Sequence, residues 1–65
     1  MLIKKHIPND KARAFETDLK DFIEEGKLDF QCITWVQVGE KTTRFDLEVF
    51  HQDEVDSINL IEELL

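Results

Sequence analysis

The chain has one cysteine, one proline, two glycines and no tyrosine, and its cations are outnumbered almost two to one. One thiol cannot close an internal disulfide, and it is compatible with a reducing compartment. Met1-Leu2-Ile3 is followed at once by Lys4, Lys5 and His6. That apolar start is too short for a signal peptide or a membrane span. A cytoplasmic protein with no membrane partner is expected. Lys and Arg number 8 against 15 Asp and Glu, for a net charge of −7. Phosphate backbones demand a basic surface, so direct nucleic-acid binding is not expected. The two glycines lie far apart, which leaves no Gly-rich phosphate loop.

Sixty-five residues make one domain, residues 1–65. A chain this short buries only about 60% of its unfolded surface, so its core is marginal and a staple or a partner is usual. Residues 2 to 7 read as a strand. Pro8-Asn9-Asp10 breaks it and offers capping oxygens. Asp10 to Glu25 reads as a helix with Ala12, Phe15, Leu19, Phe22 and Ile23 on one face, ended by Gly26. Leu28 to Val38 is the second strand, Gly39 to Thr42 the turn, and Thr43 to Phe50 the third strand. Asp53 is placed to cap a second helix that runs to Leu65, with Val55, Ile58, Ile61 and Leu65 as its apolar stripe. The fold class is α+β, in the order β-α-β-β-α. Its three-stranded sheet resembles a ferredoxin-like unit lacking its last strand, which leaves a sheet edge free for another chain.

A tight turn at Glu40-Lys41 sets Val38 opposite Thr43, Val36 opposite Phe45, Thr34 opposite Leu47 and Cys32 opposite Val49. Cys32, Thr34, Val36 and Val38 then face the first helix and the core. Ile33 and Trp35 face the other side, opposite Glu48 and Asp46, with Gln31 opposite Phe50 and Gln37 opposite Arg44. Trp35, Ile33 and Phe50 with the acidic neighbours Asp46 and Glu48 make an apolar patch with a polar rim, the composition of a protein-binding surface. The bland alternative is that the second helix folds over this face and buries Trp35. Leu60 and Leu64 widen the tail helix beyond what a small core needs. With Leu65 they are the expected tail-helix contact of a homodimer, built through the tail helix, the sheet edge or both.

Nothing points to catalysis. Cys32 on a core face reads as a small apolar residue, and His6 and His51 lack the spacing of metal ligands. Neither a metal nor a cofactor is expected, and no residue is assigned a catalytic role. Lys41, Thr43 and Arg44, around the hairpin, form a candidate anion site. In a dimer they would frame a phosphate-containing small molecule stacked on Trp35.

"FETDLKDFIEEGKLDFQCITWVQV" followed by "TRFDLEVF" resembles small strand-helix-strand-strand proteins of Bacillus sporulation genes and Bacillus-type phages. The resemblance covers residues 2 to 50 and rests on pattern. Dodecins share a similar order and a Trp in the second strand. This chain ends in a helix and differs around their flavin site, so no flavin is implied. The resemblance implies a small oligomeric accessory protein. The expected function is that of a non-enzymatic, phage-type inhibitor or adaptor that blocks a host protein through its sheet face. The alternative is an oligomeric protein that sequesters a nucleotide signal.

Overall fold

The computed structural model describes residues 1–29 and 33–65, with Ile33 described by its backbone. The elements are β1 (Leu2–Pro8), α1 (Asn9–Glu24), β2 (Ile33–Gln37), β3 (Thr42–Glu48) and α2 (Gln52–Leu64). The protein is therefore an α+β fold in the order β-α-β-β-α. Its strands lie in the order β1-β3-β2, and each neighbouring pair is antiparallel. β1 and β2 run parallel to each other with β3 between them, as in a ferredoxin-like unit without its fourth strand. Among the described residues, no strand pairs with either outer edge.

The core is a single cluster. Ile7 comes from β1, Phe15 and Leu19 from α1, Phe45, Leu47 and Val49 from β3 and its extension, and Ile58 and Ile61 from α2, with Leu28 between elements. Alternation along β3 sends Thr43, Phe45 and Leu47 into this cluster and Thr42, Arg44, Asp46 and Glu48 the other way. Both helices therefore cover one face of the sheet and leave the other bare. Phe15 meets Phe45 edge to face, with ring centroids 4.9 Å apart. Such a pair adds about 0.5–1.5 kcal/mol beyond its buried area.

Local signals explain the ends of the helices. Gly26 adopts a left-handed φ of +77°. The Lys27 N–H donates to the Phe22 carbonyl at 2.9 Å, and the Gly26 N–H to the Ile23 carbonyl at 3.1 Å. These two bonds are a Schellman ending, which a residue with a Cβ accommodates poorly. At the start of α2, the cap position is His51, not the expected Asp53, and no side chain caps it. Asp53 sits inside the first turn, where its charge favours the helix dipole.

Between the strands, the expected pairing is off by one residue. Trp35 pairs with Phe45, Val36 with Arg44, Thr34 with Asp46 and Gln37 with Thr43. The connection is a three-residue loop, Gly39 to Lys41, closed by the Val38 N–H on the Thr42 carbonyl at 3.0 Å. A slip of one residue exchanges the faces of a strand. Thr34, Val36 and Val38 are therefore exposed on the bare face instead of facing the core. Trp35 shares the helix side with Phe45. The expected pairings of Cys32 and Gln31 lie outside the described residues, as does the placement of Cys32 in the core.

The loop is fixed from a distance by the first residue of α1. The Asn9 N–H donates to the Lys41 carbonyl at 2.8 Å, and its Nδ2 donates to the Glu40 carbonyl at 3.0 Å. Asn9 Oδ1 accepts from the Thr43 hydroxyl at 2.6 Å. Asn9 thus clamps the hairpin tip instead of capping its own helix.

Candidate interaction surface

The bare face is built in rows across three strands. His6, Arg44 and Val36 form one row, and Lys4, Asp46 and Thr34 the next, flanked by Pro8, Thr42 and Val38 at one end and Leu2 and Glu48 at the other. Arg44 lies along the strand against Asp46, with Nε 3.1 Å from Oδ1 and Nη2 3.2 Å from Oδ2. Lys4 and Arg44 balance Asp46 and Glu48, so the net charge of −7 lies elsewhere on the molecule. Leu2, Val36 and Val38 are exposed on this neutral face.

The two edges differ. Val38 donates to Thr42, so Val38, Val36 and Thr34 direct their backbone groups to β3 by antiparallel alternation. The N–H and C=O groups of Ile33, Trp35 and Gln37 therefore point away from the sheet. In the same way Val49 donates to Met1 and Asn9 to Lys41. This turns the groups of Leu2, Lys4, His6 and Pro8 outward on β1. β1 is guarded by Lys4, Lys5 and His6, and Pro8 occupies an outward position where no N–H is needed. β2 and the loop after it carry no charge and no proline from 33 to 39.

The structure divides the residues singled out from the sequence. Asp46 and Glu48 lie on the bare face. Trp35 is on the helix side but at the sheet edge, where 56% of it stays exposed. Phe50 follows β3 and is exposed, and the side chain of Ile33 lies outside the described residues. Of the anion-site residues, Arg44 is on the bare face and the Thr43 hydroxyl is buried on Asn9. Lys41 stands on the loop, so the three do not converge. In the tail, Leu60 and Leu64 are exposed while Leu65 packs against the chain's own core.

Three features escaped the sequence reading. Asn9 is one. Lys5 is the second: it lies on the helix side of β1 and binds Asn59 Oδ1 and, at 2.9 Å, Glu62 Oε2 of α2. It offsets a carboxylate placed against the helix dipole. The third is Glu54, only 4% exposed. Its Oε1 accepts from the Asp29 N–H at 3.3 Å, and its Oε2 from the Phe50 N–H at 3.2 Å. Its sole local sign is a Glu at the third position of a helix, where a carboxylate can reach back to N–H groups before the helix. Beside Trp35, a groove of about 320 Å³ runs under α1, walled by Ala12, Arg13 and Glu16 with Phe45 at its floor.

No family model, curated protein or solved structure matches the chain. No helix among the described residues is long and apolar enough to cross a membrane.

Proposed function

We propose that this is a small non-enzymatic binding protein that acts through its bare sheet face, an inhibitor or adaptor of the kind a phage directs against a host protein. One observation carries the reading. In a chain of net charge −7, the face that neither helix covers is neutral and exposes Leu2, Val36 and Val38 among Arg44, Asp46 and Glu48. The charges at the centre of the face are paired with each other, Arg44 on Asp46, and the apolar side chains lie at its edge and ends, a mixed apolar and polar surface of the kind protein interfaces present. A single domain this small has little reason to leave such a face uncovered unless a partner covers it. The finer part of the proposal rests on the resemblance read from the sequence pattern.

The test is capture of a host protein by immobilised wild type, Leu2→Asp, His6→Glu and Leu60→Asp. All three positions are exposed, so each variant should fold with a stability change within about 0.5 kcal/mol. A protein held by wild type and Leu60→Asp but lost with Leu2→Asp and His6→Glu supports the bare face. Retention by the first two variants and loss with Leu60→Asp moves the site to α2 and refutes the proposal.

A further inference from the structure

We propose that β2 pairs with β2 of a second copy, antiparallel about a two-fold axis through Trp35, joining two three-stranded sheets into one of six strands. The backbone groups of Ile33, Trp35 and Gln37 point outward with no partner in the sheet. Strand edges of this kind seek a ladder unless they are guarded. The guards are all on β1: Lys4, Lys5, His6 and Pro8. β2 has none, and β2 is the edge that carries a half-exposed tryptophan.

Charge admits a second copy at this edge. Two copies of net charge −7 repel, and they can approach only where neither presents acid. β2 is such a place, since none of its five residues is charged and the bare face beside it is balanced. Geometry then fixes the register. In a two-fold antiparallel pair, outward residues must oppose outward residues. With Trp35 opposite Trp35 of the second copy, Ile33 opposes Gln37, and all five residues of each strand are paired. A two-fold centred anywhere else shortens the overlap.

Pairing has two effects on the surface. On the helix side, the two tryptophans lie side by side and cover each other. On the bare face, Val36 comes to lie beside Thr34 of the second copy. The exposed valines move from the rim of a small face to the middle of one twice as wide. The proposal stands apart from the functional reading above, because pairing is measured on the isolated protein and binding through Leu2 and His6 at the far side of the face. Either can fail alone.

Sedimentation should give the mass of two chains for wild type and of one chain for Gln37→Pro, which removes an outward N–H without touching the ladder to β3. Register is read by disulfide formation in a Cys32→Ser background. Thr34 and Val36 of facing copies are a non-hydrogen-bonded pair with Cα atoms about 4.5 Å apart, inside the range a disulfide spans. Thr34→Cys and Val36→Cys proteins should cross-link on oxidation when mixed, and neither alone. A wild-type monomer at every concentration overturns the proposal. So does a dimer that Leu60→Asp or Leu64→Asp dissociates while a folded Gln37→Pro keeps it. If circular dichroism shows Gln37→Pro unfolded, the cross-link decides: a disulfide specific to the mixture supports the pairing, and its absence overturns it.

Discussion

Replacing Asn9 by Ala should destabilise the protein by far more than one half-buried residue would suggest. The Asn9 side chain accepts from the Thr43 hydroxyl at 2.6 Å and donates to the Glu40 carbonyl at 3.0 Å. Thr43 is 3% exposed, so its hydroxyl is left without a partner or water. An orphaned buried donor costs about 1–3 kcal/mol, and the exposed bond to Glu40 adds about 0.5 kcal/mol. The sum is about 1.5–3.5 kcal/mol, against a total stability of about 3–10 kcal/mol for a chain of this length. With an m-value of about 1 kcal/mol/M, the urea midpoint should fall by about 2 M. Urea unfolding followed by Trp35 fluorescence measures it. Thr43→Val removes the hydroxyl that Asn9→Ala strands, so the double variant should recover about 1–2 kcal/mol of the summed losses. Additivity within about 0.3 kcal/mol would mean that the two side chains do not act as one clamp, and the account of the loop would fail.

Glu54→Gln keeps the size of the side chain but sets an amide donor against a backbone N–H. It should cost about 1.5–3 kcal/mol in the same assay, and a loss below about 0.5 kcal/mol would show that the carboxylate is not what holds Asp29 and Phe50. Gly26→Ala meets no atom within 4 Å, so only the left-handed backbone opposes it. A loss of about 1–2 kcal/mol is expected, and an unchanged thermal midpoint would refute the Schellman ending.

The helices were legible because their apolar positions recur at a single period. Phe15, Leu19, Ile58 and Ile61 are where that spacing puts the core. The register of β2 was not legible, because both of its faces carry apolar residues and alternation alone does not choose between them. Gly39-Glu40-Lys41-Thr42 has no strong turn preference either. The deciding contacts come from Asn9, thirty or more positions away in the chain. That is why Trp35 was expected opposite Asp46 and is found beside Phe45. Glu54 was hidden for a different reason. Among fifteen acidic residues, its third position in α2 is a weak local sign, and nothing local shows that its two oxygens bind backbone N–H groups from two separate segments.

The order β1-β3-β2 also governs when this protein can fold. Among the described residues, β3 is the only strand with neighbours on both sides, and it comes late. As the chain is made, β1 emerges before β3, the strand it pairs with. Ile7 then waits for Phe45 and Leu47, and for Ile58 and Ile61 after them. The pairing of β1 with β3 and the packing of α1 on α2 span long loops, whose closure entropy is met before any contact rewards it. The sheet therefore cannot close before β3 is made. Until β3 arrives, the nascent segment is a mixed polar and apolar strand and an amphipathic helix with no sheet to receive them.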